Sequence, residues 1–153
     1  MTDIQLMRVK EIMTSHPARI RKNATLERAA ELVAMSRVTD LMVVDKQNNF
    51  VGVLSEGDIL RAALPDINQI LDEGGSVETA FDLFLSKGKN LADLPIMPLV
   101  IQEPIVVAED DHVAKATVAL IDKQIRLLPV VKDGQLVGTV SRADVCRAVV
   151  GTF

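Results

Sequence analysis

Two kinds of apolar pattern alternate along the chain. Between residues 25 and 37, Leu26, Ala29, Ala30 and Val33 recur at spacings of three and four, which places them on one face of a helix. Apolar runs at 41–45 and 50–54 follow, joined by the polar "KQNN", and predict two strands and a turn. "ARI" ahead of the helix predicts a short first strand, and the pattern after residue 55 predicts a closing helix. The same succession then returns. Val113, Ala116, Thr117, Leu120 and Ile121 mark a second helical stripe, and strands are predicted at 128–131 and 136–140. Their connection, "KDGQ", contains Asp133-Gly134, a hairpin signal.

Laying the sequence on itself makes the repetition explicit. Residues 25–44 fall over 112–131, 87 positions on, and Pro17 falls over Pro104. After one residue is lost in the turn, "FVGVLSEGDILRA" falls over "LVGTVSRADVCRA", 86 positions on. Each copy therefore reads as strand, helix, strand, strand, helix, giving an α/β (α+β) fold of two β-α-β-β-α repeats. Such a unit is marginal alone, so the copies are expected to bury their apolar faces together with pseudo-twofold symmetry, leaving clefts between the halves. The expected bounds are 9–63 and 93–150, with an inserted helical linker at 64–92. In the linker "DEGG" reads as a break, and "SVETAFDLFLSKG" reads as a short helix capped by Ser76 and closed by Gly88.

The repeated phrase Gly-x-x-Ser-x-x-Asp carries the candidate chemistry. Its Gly lies in a strand, where a missing side chain permits a bulge or a close backbone approach. Ser55 and Ser141 fall where strand becomes helix, so their hydroxyls lie beside the free N–H groups that attract phosphate. Asp58 and Asp144, one turn on, can accept hydrogen bonds from two neighbouring sugar hydroxyls. The set suits a nucleotide. It equally suits a helix capping box, and a duplicated helix keeps its cap. Both readings stand at this point.

Composition narrows the partners. A net charge of −4, with four Phe and no Trp or Tyr, lacks the basic field and stacking rings of a nucleic-acid surface. No apolar stretch approaches the roughly 20 residues needed to span a bilayer, and "MTDIQLMRVKEIM" lacks the plan of a signal peptide. One cysteine, Cys146, excludes an internal disulfide, so a cytoplasmic protein is expected.

The order of elements, the "VKEIMTSHP" opening and the run "LPVVKDGQLVGTVSRADV" resemble the tandem cystathionine β-synthase (CBS) domain pair, of the stand-alone type. The resemblance spans about residues 9–63 and 93–150. It implies a regulatory module that binds an adenine nucleotide (AMP, ADP or ATP) or another adenosyl ligand in the clefts between repeats and signals to an unknown regulated protein, with no obligatory cofactor. It also implies that Ser55 with Asp58, and Ser141 with Asp144, hold ribose and phosphate. The base would be gripped near Thr14 to Ala18, Pro17 included, and near Arg126 to Pro129, Leu128 included. Two departures stand out: "TDLMVV" replaces "RLLPVV" in the first copy, bringing in Asp40, and the entry to the second copy is longer, seven residues from Met97 to Pro104 against four from Met13 to Pro17. The Ser141–Asp144 site is expected to lead, with Arg142 and Arg126 adding positive charge.

Other residues read more simply. Arg61 and Arg147 lie one turn after each Asp and are expected to pair with it. His16 and His112 have no second ligand at metal spacing, and Cys146 is expected to pack. Ile59, Leu60, Ala63, Val145 and Val149 exceed what one pair can bury, which predicts a side-by-side homodimer. No nucleophile has an adjacent base, so no enzyme is expected. The competing reading is a ligand-free dimerisation or interaction scaffold.

Overall fold

The structure is a computed structural model that describes residues 7–151. A short helix α1 (Val9–Ile12) precedes the first repeat, in which β1 (Arg19–Arg21), α2 (Leu26–Ser36), β2 (Asp40–Val44), β3 (Phe50–Ser55) and α3 (Glu56–Ala63) follow in the expected order. Thr25 caps α2 by accepting the Arg28 N–H, and the chain leaves the helix through Arg37 in the left-handed region. β1 lies parallel to β2, which pairs antiparallel with β3.

The linker contains two helices, α4 (Ile67–Asp72) and α5 (Val77–Leu91). Ser76 caps α5 as expected, by accepting the Thr79 N–H. Gly88 does not close it. The helix continues to Leu91, and Gly88 sits where α5 comes close to α3: a Cβ added there would lie 3.9 Å from that of Ala63.

The second repeat comprises α6 (Val113–Asp122), β4 (Leu127–Lys132), β5 (Gln135–Ser141) and α7 (Arg142–Val150). Asp133 and Gly134, both at positive φ, make the β4–β5 turn. The first strand expected here is reduced to one parallel bridge, Val107 to Val130. The cause is local. In the first repeat the Met42 N–H donates to the Ala18 carbonyl, whereas Pro129, at the equivalent position, has no N–H to give.

Each repeat completes its core with a segment that precedes the other. Val9 and Ile12 of α1 are buried among Val113, Ala116, Leu120, Leu128 and Val140, while Ile96 and Val100 are buried among Ile20, Ala29, Leu41 and Leu54. The hydrogen bonds repeat the exchange: Val113 N–H donates to Met7 O, and Leu26 N–H to Leu94 O. On the pseudo-twofold axis the two hairpin tips pair, with Phe50 N–H donating to Gly134 O (2.8 Å) and Leu136 N–H to Asn48 O (3.2 Å). Met42, Val44, Val53 and Leu136 form a third apolar cluster, against which Phe50 and Leu127 pack.

The two motif glycines permit the exchange. A Cβ on Gly52 would stand 2.2 Å from the Ile101 carbonyl oxygen, and one on Gly138 would stand 2.8 Å from that of Thr14. Both anticipated features are present, since each strand pair also shifts register beside its glycine.

The residues expected to drive side-by-side docking divide differently. Ala63 and Val145 are buried and Ile59 is half-buried, while Leu60 and Val149 remain exposed. Cys146 is exposed rather than packed. Among the described residues no helix is long and apolar enough to cross a membrane.

Candidate functional site

The two copies of the motif have different local chemistry. At the second, Ser141 Oγ accepts the Asp144 N–H, and the Asp144 carboxylate accepts the Ser141 N–H at 2.9 Å, completing a capping box. Thr14 Oγ1 stands 3.5 Å from both carboxylate oxygens, beside the pairing of Thr14 with Thr139. Asp144 is thus engaged by its own helix and by the crossing segment.

At the first copy Ser55 Oγ again accepts the N–H three residues on, at 3.1 Å from Asp58 N. The reciprocal contact is replaced. Asp58 turns to Arg61, 2.6 Å away, and the bond to this guanidinium holds its carboxyl below the ordinary value of 3.8, against a smaller opposing effect of burial. The crossing residue equivalent to Thr14 is Ile101, which has no hydroxyl to offer. Asp58 therefore opens toward a cleft of about 380 Å³, within the roughly 300–1,000 Å³ range of ligand sites.

Both repeats line this cleft. Val53, Ser55, Asp58 and Arg61 form one wall, and Arg126, Leu127 and Pro129 form another. Ile101, Pro104 and Ile105 contribute an apolar edge from the crossing segment. Asp40 also lines it, 8% exposed, with its carboxylate accepting from Thr39 Oγ1 at 2.8 Å.

This arrangement regroups the residues singled out in the sequence. Arg126 and Pro129 line the cleft of Ser55 and Asp58, and Thr14 accompanies Asp144. The Arg142 Nε and Nη2 donate to the Leu120 carbonyl at 3.3 and 3.0 Å. Leu128 is fully buried in the second-repeat core, and Pro17 is buried. Ile101, Ile105 and Val53 were not singled out, whereas Leu127 falls within the stretch Arg126 to Pro129. The register of Pro104 with Pro17 was their available signal, since it marks the crossing segments as equivalent.

Arg61 pairs with Asp58 as expected. His112 caps α6, its Nδ1 accepting the Ala114 N–H at 3.0 Å, and His16 is exposed. Among the described residues no three His, Cys, Asp or Glu side chains are grouped to hold a metal ion. The capping role gives a first prediction: Ser141→Ala costs about 1 kcal/mol of unfolding free energy, read by denaturant titration. An unchanged midpoint would contradict that role.

Comparison with known proteins agrees with this architecture. The CBS domain family matches residues 9–65 and 96–151, and the chain belongs to it. The chain is similar to the CBS domain-containing protein CBSX1, chloroplastic, of Arabidopsis thaliana, 33% identical over 142 residues covering 84% of this chain and 57% of that protein. CBSX2 of the same plant is 31% identical, again over 84% of this chain and 57% of its own length. The chain thus spans little more than half the length of these relatives. The crystal structure of CBSX2 in complex with AMP superposes with a TM-score of 0.71 at 27% identity, covering 94% of this chain and 96% of that one. The neighbours place the fold among CBS-pair proteins.

Proposed function

We propose that this protein is a regulatory module that binds an adenine nucleotide, or another adenosyl ligand, in the cleft at Ser55 and Asp58 and passes the resulting change to a protein partner. The observation that carries this reading is that a cleft walled by both repeats contains a Ser-x-x-Asp motif whose carboxylate pairs with the exposed Arg61 instead of closing its own cap. The Asp58 carboxylate accepts from the ribose diol. The Ser55 hydroxyl and the Arg126 guanidinium serve the phosphate, and Val53, Ile101, Ile105 and Pro129 flank the base. CBSX2, 27% identical, has been crystallised with AMP, which supports the class of ligand.

A ligand that touches both walls favours one relative placement of the repeats, and that differential affinity is all the signal requires. The role is binding rather than turnover. A reducing compartment such as the cytoplasm suits a lone, exposed Cys146 thiol.

With no Trp or Tyr the protein absorbs weakly at 280 nm, whereas adenine absorbs strongly near 260 nm. The ultraviolet spectrum of fresh protein, followed by mass spectrometry of whatever heat releases, identifies a retained adenosyl compound. Added AMP, ADP or ATP at 100 times its dissociation constant stabilises the fold by about 2.7 kcal/mol, a rise in melting temperature of roughly 5–10 °C. A flat spectrum together with an unmoved melting temperature for all three nucleotides overturns the reading.

The pH dependence follows from the lowered Asp58 pKa. A carboxyl below 3.8 remains ionised from pH 8 to pH 5, so the contribution of Asp58 to affinity is constant there and is lost only as the pH falls through the depressed value. Nucleotide titrations at stepped pH check this. Because the nucleotide phosphate itself titrates at about pH 6, the reading is the ratio of wild-type to Asp58→Asn affinity, and a ratio that changes between pH 8 and pH 5 would contradict the role of Asp58.

A further inference from the structure

At one place the two repeats share a backbone arrangement and differ in charge. In the first repeat β1 and β2 end side by side, and the Lys22 N–H donates to Val44 O at 2.9 Å. The strand ends and the loops that leave them border a hollow of about 280 Å³, lined by Arg21, Lys22, Asn23, Asp45, Lys46 and Gln47. None of these residues lines the cleft of Ser55 and Asp58. In the second repeat Val107 pairs with Val130 as Ile20 pairs with Val43, so the equivalent positions are Ala108, Glu109 and Asp110 on one strand and Lys132 and Asp133 on the other. Three cations and one carboxylate in the first repeat thus correspond to one cation and three carboxylates in the second.

The same strand register accommodates either sign of charge, so the pairing of the strands does not account for the basic one. The acidic version is used by its own chain, where Lys10 pairs with Asp110 at 3.1 Å. Among the described residues no ion pair answers Arg21, Lys22 or Lys46, and all three are exposed. Lys22 feels the attraction of Asp45 without forming an ion pair with it. Asp45 is committed to its own turn: Oδ1 accepts the Gln47 and Asn49 N–H groups, both at 2.9 Å, and Oδ2 accepts Asn49 Nδ2 at 3.1 Å. Arg19 adds a hydrogen bond to Asn48 Oδ1 in the same turn. The cations therefore stand on loops whose shape is already fixed, and less freedom is lost when a ligand arrives.

We propose that this hollow binds a small oxyanion of the phosphate type, carrying at least two negative charges. Arg21 presents a planar fork of donors, Lys22 and Lys46 present compact ammonium charges, and the side-chain amides of Asn23 and Gln47 offer further N–H groups. The positive charge left in excess of Asp45 is matched by a dianion. The volume lies just below the roughly 300–1,000 Å³ of sites for drug-sized ligands, which suits phosphate, pyrophosphate or a short phosphate ester rather than a whole nucleotide.

Calorimetric titration of sodium pyrophosphate into the full chain tests this at physiological ionic strength, where exposed charges more than about 8 Å apart are largely screened. One equivalent binds with a dissociation constant below about 1 mM. The double substitution Lys22→Ala with Lys46→Ala, and Arg21→Ala alone, each weaken pyrophosphate binding by more than about tenfold. These side chains are exposed, so circular dichroism and melting confirm that each variant is folded. Inorganic phosphate and glycerol 3-phosphate then distinguish the source: tighter binding of the ester assigns the site to a phosphorylated metabolite, and tighter binding of phosphate assigns it to the free anion. No pyrophosphate binding by wild type, or binding that survives in the folded double variant, overturns the proposal. A hexaglutamate peptide that binds more tightly than pyrophosphate also overturns it, in favour of an acidic protein segment. The proposal is independent of the nucleotide reading, because AMP affinity is expected to be unchanged in the double variant while pyrophosphate affinity falls.

Discussion

Gly52→Ala lowers the melting temperature by roughly 6–12 °C, a loss of about 3 kcal/mol. The new methyl would stand 2.2 Å from the Ile101 carbonyl oxygen and 2.8 Å from Val100 Cγ1, so the crossing segment must retreat. That segment cannot move freely. Ile101 exchanges two backbone hydrogen bonds with Val53, at 2.9 and 3.0 Å, and Val100 is buried in the first-repeat core. Gly138→Ala is milder, at about 1–2 kcal/mol. Its nearest neighbours are the Met13 sulfur and the Thr14 carbonyl, both at 2.8 Å, and the methionine side chain can swing aside. Thermal unfolding of the two variants checks the order. Equal shifts, or none for Gly52→Ala, would show that the crossing segment is not held as tightly as its hydrogen bonds indicate. The same displacement moves Ile101 and its neighbours at the cleft edge, so Gly52→Ala is also expected to weaken any ligand bound there.

Asp58→Ala weakens nucleotide binding by about tenfold or more, while Asp144→Ala leaves binding within about twofold and lowers stability instead. The contrast arises from the different engagement of two residues that the sequence presents as equivalent. Among the described residues Asp58 makes one ion pair, to Arg61, whose side chain is 68% exposed, so a ligand hydroxyl can share the carboxylate. Asp144 accepts from the Ser141 N–H and hydroxyl and lies against Thr14, and removing it leaves a helix terminus without its reciprocal cap. Calorimetric titration of AMP into both variants, with melting curves alongside, separates the cases. Retained affinity in Asp58→Ala accompanied by lost affinity in Asp144→Ala would transfer the site to the second motif.

Much of the architecture was legible because the chain states it twice. The stripes of α2 and α6, the strand pairs and the Asp133-Gly134 turn are local patterns, and an alignment of the chain with itself supports each from the other. The misreadings also have local causes. Gly88 resembles a helix end, but α5 continues to Leu91, which packs against the first-repeat core. The missing strand before α6 depends on the N–H that Pro129 lacks, and that loss matters only once β4 has a parallel neighbour.

What the sequence by itself determined was the repeat, its secondary structure, the two motif positions and the need for glycine within each. These follow from periodicity and from side-chain size, which neighbouring residues specify. Tertiary structure alone decided how each motif's carboxylate is engaged and which residues share the cleft of Ser55 and Asp58. Arg126 was expected beside Ser141, 15 positions away, yet it lines the cleft of Asp58; Thr14 reaches Asp144 across 130 positions. The physical reason is the exchange of N-terminal segments about the pseudo-twofold axis, which brings each motif against chain that precedes the other repeat. On that crossing Thr14 stands beside Asp144, whereas its equivalent Ile101 has no hydroxyl to offer Asp58, which pairs with Arg61.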